Sequence, residues 1–242
     1  MAVLRHFIIP VLLVALLAAV SGCGAGESEE EAAWRQEVDS SLRGLKDARS
    51  FRYLTHLETW IGVSGQSVFG DETGEGLYRD GDFSVSITRT SPEGEERLEL
   101  SSGDGGYYLR EADAWSAIPP GSAPSPLHDP AVAVELASSY GSVSLQREEE
   151  RSGVGCRRYL LRLESGRARE ALTGAAWSYF SSLSFELSCT LWVCDASAPP
   201  VALQIEVVGS DPRESLQRYR TLASTDFSDF DSPDIQPASP SE

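Results

Sequence analysis

Three histidines and four cysteines are the side chains with the widest chemical range in this 242-residue chain, and their settings decide which chemistry is open to it. His56 and His128 stand in no nucleophilic or metal-binding spacing. The chain has no Gly-x-Ser-x-Gly elbow, no His-x-x-x-His pair and no phosphate-cradling glycine loop ahead of a helix. Carboxylates are abundant, yet no spacing pairs two of them for general acid and base work. The acidic turns Asp71-Glu72, Asp80-Gly81-Asp82 and Ser102-Gly103-Asp104 lack the ligand spacing of a calcium loop and read as solvated hairpin tips. No catalytic residue, metal site or cofactor is therefore expected, and the chain is not read as an enzyme.

The first cysteine has a different setting. Behind Arg5, residues 7–20 form an apolar run of fourteen residues. At ~1.5 Å per residue a helix of that length covers about 21 Å, short of a ~30 Å hydrocarbon core, so the run reads as a secretion signal. Val20-Ser21-Gly22-Cys23 resembles the bacterial lipobox, an aliphatic and two small residues ahead of a cysteine. There the thiol is alkylated to a stable thioether before cleavage leaves the cysteine as the first residue. Two or three acyl chains on Cys23 would hold a protein stably on a bilayer. The run GAGESEEEAA that follows is small, polar and acidic, which suits a hydrated tether. The expected location is the extracytoplasmic face of the cell membrane, lipid-anchored.

With Cys23 acylated, Cys156, Cys189 and Cys194 remain in an oxidising setting, and three cannot all pair. Segments 155–163 and 184–195 read as strands with a helical segment between them. If they pair antiparallel with Cys156 opposite Cys194, a cross-strand bridge staples them and leaves Cys189 a buried thiol. A Cys189–Cys194 link needs the strand to bend, because five residues put the two side chains on opposite faces. Both pairings are open at this level.

Removal of residues 1–22 takes away Arg5 and leaves 19 basic against 37 acidic residues, a formal charge of −18. Such a chain will not hold nucleic acid through phosphates, which call for clustered Lys and Arg. It is also repelled by anionic headgroups, so the acyl chains must do the holding.

The elements that would position any site follow from periodicity. Residues 28–49 carry Trp34, Val38, Leu42 and Leu45 at spacings of four, four and three, one face of a helix. From Phe51 to about Trp115 the chain breaks into short segments rich in Thr, Ser, Val and Tyr, separated by turn signals that include Asp80-Gly81. In DFSVSITRT, Phe83, Val85 and Ile87 alternate with Ser84, Ser86 and Thr88, so one face is buried. Residues 127–141, capped by Asp129 with Pro130 in its first turn, and residues 165–183 read as helices. FELSCTLWVC and VALQIEVV form a further hairpin, and a last strand lies near Tyr219 to Ala223. The fold class is α+β: a single curled antiparallel sheet, a half-barrel of about nine to eleven strands, with about three helices on its concave side. A ligand would fit between sheet and helices.

Several stretches carry a resemblance. A helix leads into Ser50-Phe51-Arg52-Tyr53; Gly74-Glu75-Gly76-Leu77-Tyr78 opens a hairpin; Gly106-Tyr107-Tyr108-Leu109 precedes Ala114-Trp115; Gly155-Cys156-Arg157-Arg158-Tyr159 forms a Gly-x-x-x-Tyr strand. Leu191-Trp192-Val193-Cys194-Asp195 leads to Pro200, and Asp226-Phe227-Ser228-Asp229-Phe230 is followed by Pro233 and Ile235. In these stretches the sequence resembles the LolA/LolB-like half-barrel proteins and, within them, the actinobacterial LppX/LprG-type envelope lipoproteins. The resemblance implies a shape and a class of ligand, a lipid or acylated molecule, and no named functional residue. The chain departs from lysine-rich relatives in its charge, which tells against an anionic headgroup.

The expected organisation is a signal peptide over 1–22, an acidic tether over 23–33, a half-barrel domain over 34–237 and a tail over 238–242, acting as a monomer. Trp60, Trp115, Trp177, Phe180, Phe185 and Trp192 are the candidates to line a cavity. Two functions compete. One is a membrane-anchored carrier or sensor of a lipid-like ligand; the other is a non-enzymatic interaction or regulatory module of the same fold, without a cavity, that meets another envelope protein.

Overall fold

The computed structural model describes residues 28–63, 66–91, 94–103, 106–111, 114–119, 125–171, 184–210 and 217–240. The chain divides into two units, residues 1–33 and 34–242. The second carries the buried apolar core of the described residues, from Val38 to Ile235. Helix α1 (Glu29–Asp47) has Glu29, Glu30 and Glu31 in its first turn, and the Glu31 N–H donates to Ser28 Oγ at 3.1 Å. It buries Val38, Leu42 and Leu45, and Trp34 packs half-buried beside the core, on the face its spacing predicts.

Eleven strands form one sheet. The first meander is β1 (Ser50–Val63), β2 (Gln66–Arg79), β3 (Asp82–Ser91), β4 (Gly94–Gly103), β5 (Gly106–Glu111) and β6 (Ala114–Ile118). A 3-10 turn, Pro126–His128, then leads into α2 (Pro130–Ser138), whose N-cap Asp129 accepts from the Ala131 N–H. The second meander is β7 (Tyr140–Arg151), β8 (Val154–Leu163), β9 (Ser184–Val193), β10 (Ala202–Ser210) and β11 (Gln217–Ser228), with α3 (Ser165–Ala171) after β8. The order across the sheet is β6-β5-β4-β3-β2-β1-β11-β10-β9-β8-β7, every pair antiparallel. The two meanders thus join where β1 pairs with β11, and β6 and β7 are the open edges of a curled half-barrel. Among the described residues no helix is long and apolar enough to cross a membrane.

Turn chemistry sets the register. Asp80 and Gly81 both take positive φ, 50° and 103°, which matches the twist of a two-residue hairpin and pairs Arg79 with Asp82. Parity then sorts the faces. Along β1, Phe51, Tyr53, Thr55 and Leu57 are buried on the side that meets the helices, while Arg52, Leu54 and His56 are exposed on the outer face.

Beyond β11 the chain does not form another strand but a strap across the ends of β1 to β4. Asp229 and Asp231 take φ of 53° and 56° and turn the backbone back. The Asp231 carboxylate accepts from the Arg49 N–H at 2.8 Å, and Arg79 Nη1 donates to the carbonyls of Pro233 and Ile235. Ser101 Oγ donates to the Ala238 carbonyl at 2.7 Å, and the Ala238 N–H donates to Ser84 Oγ at 3.0 Å. These bonds, with Ile235 buried, fasten the strap as far as Ala238.

Candidate functional site

The helix side of β2 changes character along its length. A Cβ on Gly76 would stand 2.1 Å from Tyr53 Cζ, and one on Gly74 would stand 2.5 Å from Thr55 Oγ1 and 3.3 Å from His128 Nδ1. Here the interior is filled. Two rows on, a Cβ on Gly70 would meet nothing within 4 Å among the described residues, and Val68 is 64% exposed. Pairing places Ile61, Tyr219, Gly209 and Phe185 in the row of Val68, so an apolar stretch of the helix side extends past the part that the described helices cover.

Between the filled and the open part lies a polar wall. His128 is fully buried; its Nδ1 is 2.9 Å from Thr55 Oγ1 and its Nε2 is 2.9 Å from Glu72 Oε2. Arg89 Nε donates to Glu72 Oε1 at 2.7 Å and Arg89 Nη1 reaches Glu96 at 3.4 Å. Burial raises the Glu72 pKa, but the hydrogen bonds and charges of His128 and Arg89 outweigh it and hold the carboxyl below its ordinary value. In the neutral ring, Nε2–H donates to this carboxylate and Nδ1 accepts from the threonine hydroxyl. Hydroxyl, imidazole and carboxylate follow one another as in a nucleophilic triad, yet Thr55 is only 4% exposed, so no substrate carbonyl reaches its Oγ1. The network fastens the 3-10 turn ahead of α2 to the sheet.

The sign of its pH dependence follows from Glu72. A carboxyl whose folded pKa is depressed stabilises the fold above its unfolded pKa of ~4.3, and that contribution is lost as pH falls through the lower folded value. Glu72→Gln is expected to cost about 1–3 kcal/mol at pH 7 and to flatten the loss of stability on acidification below pH ~4.3. Urea denaturation of both proteins at neutral and acid pH measures this. Equal acid slopes count against it.

A second feature of the helix side is a cleft of about 200 Å³ between α1 and α2, lined by Leu45, Phe51, Tyr78, Pro130 and Val134. Lys46 and Glu135 bridge its rim at 3.0 Å. Ligand pockets usually run from about 300 Å³ upward, so this cleft alone is small. Beside it Asp129 accepts from Tyr107 Oη at 2.8 Å; burial raises the Asp129 pKa, and the Tyr107 and backbone hydrogen bonds offset part of that rise.

The aromatic candidates divide. Phe185 is on the helix side, half-buried beside the core. Trp60, Trp115 and Trp192 are not: all three project from the outer face. Trp60 is three residues beyond Leu57 in an unbroken register, hence on the opposite side. Pairing carries Trp192 through Ala202 and Asp226 to exposed Leu54, and Trp115 through Arg110, Glu99, Ser86 and Glu75 to the same residue. On that face arginines cover their rings: Arg220 lies 5.0 Å from Trp60, Arg110 5.9 Å from Trp115, and Arg151 and Arg158 4.7 and 5.2 Å from Trp192. Trp192 also donates to Glu149. Trp177, Phe180 and Cys23 lie outside the described residues.

Cys156 and Cys194 form a disulfide, one register step beyond the Arg157–Val193 pair. Cys189 is free and fully buried on the helix side, where burial pushes its thiol up to about 12. The residues that sequence reasoning missed are Gly70, Val68, Ile61 and Tyr219 at the open end and the Thr55–His128–Glu72 wall. The turn at Asp80-Gly81 held a signal for the first group, since it fixes which β2 residues share a face with Phe83, Val85 and Ile87.

No family model matches the chain, and no curated protein matches it. Among solved structures it is similar to the lipoprotein LppX of Mycobacterium tuberculosis, at 15% identity over 85% of this chain and 100% of that one, with a TM-score of 0.48. It is also similar to LprF of Mycobacterium bovis, at 13% identity over 89% of this chain and 99% of that one, with a TM-score of 0.48.

Proposed function

We propose that the protein is a membrane-anchored envelope lipoprotein that shelters a lipid-like apolar ligand between its sheet and helices and catalyses nothing. Cys23 would carry the acyl chains after removal of residues 1–22, residues 23–33 would serve as tether, and residues 34–237 would form the carrier, with 238–242 as tail. The observation that carries the reading is the helix side of β2 at Gly70, where an added Cβ would meet nothing within 4 Å among the described residues, and at Val68, which is 64% exposed. Trp177 and Phe180, between α3 and β9 in the sequence, are proposed to line the same space. Enclosing ~400 Å² of acyl surface is worth on the order of 10 kcal/mol before ordering costs. Glu72, Arg89 and Glu96 would bound that space on one side and suit a neutral headgroup better than an anionic one.

The test is organic extraction and native mass spectrometry of the protein purified without residues 1–22. An acyl compound should co-purify, and Gly70→Phe, which puts a ring into the open space, should lower its occupancy at least tenfold with a melting temperature within about 2 °C of the parent. An empty parent protein, or equal occupancy in the variant, overturns the reading.

A further inference from the structure

Large apolar side chains stand exposed at five described positions, Leu54, Val68, Phe69, Val154 and Val208, and three of the five gather at one end of the sheet. Val68 points to the helix side at 64% exposure, while Phe69 at 49% and Val208 at 45% point outward. Trp60 packs against Phe69 on the outer face, with ring centroids 5.4 Å apart, and Arg220 separates it from Val208 in the same row. Between Glu58 and Asp71 no ionisable residue occurs, in a chain that is 24% charged. We propose that this end of the β1–β2 hairpin docks on a zwitterionic lipid bilayer, with Trp60 and Phe69 at headgroup depth.

Three observations select a bilayer. First, both faces of the hairpin are apolar: a folded protein surface would cover Phe69 or Val68, whereas a fluid interface surrounds both. Second, the pairing is that of an interfacial anchor. An indole sits at the boundary of oil and water, and the guanidinium of Arg220 lies over its ring while Glu206 holds it at 2.6 Å. Arg218, exposed and paired with Gly62 nearer the tip, supplies a donor fork for lipid phosphate. Third, the depth is bounded. Exposed Glu186, paired with Val208, ends the docking row on the β9 side, and the next outer row carries Glu58, Asp71 and Glu206, about 7 Å further from the tip; these carboxylates stay in water. An apolar end of that height matches the ~5–10 Å to which interfacial segments sink. The formal charge of −17 opposes an anionic surface, which is why the zwitterionic bilayer is the partner. The proposal rests on exposure and charge at this end and not on a ligand in the interior.

The test is sedimentation of residues 28–242 with phosphatidylcholine vesicles. This form lacks Cys23 and the apolar run and keeps the core, which begins at Val38. The parent protein should partition onto the vesicles, and phosphatidylglycerol at about 30 mol% should weaken the binding. Phe69→Ser should lower the partition coefficient about tenfold and Arg218→Glu about threefold. Leu54→Ser, which removes an exposed side chain on the same face outside the docking end, should leave it unchanged. Because all three side chains are exposed, the variants should unfold at the parent's urea midpoint. Failure of the parent to sediment, equal loss in Leu54→Ser and Phe69→Ser, or a dimer in the analytical ultracentrifuge that Phe69→Ser dissociates without altering partition, each overturns the proposal.

Discussion

Reduction of the Cys156–Cys194 bridge, or its replacement by two alanines, is expected to lower stability by about 4 kcal/mol at 25 °C. The bridge closes a loop of 38 residues, and the loop-closure entropy it removes from the unfolded chain gives that figure. Its position directs the loss. It ties β8 to β9 next to the edge strand β7, and β7 pairs with β8 alone. Without the bridge this corner should open first, so amide exchange in β7 and β8 should speed up more than in β1 or β11. Trp192, between Arg151 and Arg158 beside the bridge, reports the opening by fluorescence. Cys189 should not rescue or scramble the pair. Exchange requires a thiolate; this thiol is pushed up to about 12, and it lies on the other face of the sheet. Urea unfolding with and without a thiol reductant measures the difference, and a loss below about 1 kcal/mol would contradict the loop argument.

Parity explains both what the sequence made legible and what it hid. The meander was readable because it follows from local spacing, Asp80-Gly81 setting a hairpin, whereas the five-residue spacing of Cys189 and Cys194 left two disulfide pairings open, and the β8–β9 register brings Cys156 to Cys194. The same rule, applied to Trp60 and Trp192, puts them three residues from inward-facing Leu57 and Cys189 and therefore outside. Size and apolarity suggested a lining role for these rings. On the outer face, arginine stems and guanidinium groups cover them, so a large aromatic there needs no cavity. Trp115 required five successive pairings to place, which no local pattern supplies. The His128 wall was illegible for a related reason. Its partners Glu72 and Thr55 are 56 and 73 residues away, and they meet only because the turn ahead of α2 packs back on β1 and β2.

Gly76→Ala is expected to cost about 3 kcal/mol, whereas Gly70→Ala, the same change on the same face of the same strand, should cost nothing and gain up to ~0.5 kcal/mol. At Gly76 the new methyl would lie 2.1 to 2.5 Å from three atoms of the Tyr53 ring. The ring is 1% exposed and stands edge-on to Phe51 at 6.2 Å, so it has no free space to move into. Among the described residues its buried hydroxyl has no hydrogen-bond partner, and burial lifts its pKa well above the ordinary value. A smaller residue at position 53 should therefore relieve the clash. Tyr53→Leu and Gly76→Ala together should cost at least 1 kcal/mol less than the sum of the single changes, a coupling that urea midpoints resolve. At Gly70 nothing among the described residues stands within 4 Å, and a methyl there only restricts the unfolded chain. If Gly70→Ala proved as costly as Gly76→Ala, the interior would be filled to the end of β2 and the space assigned to an apolar ligand would not exist.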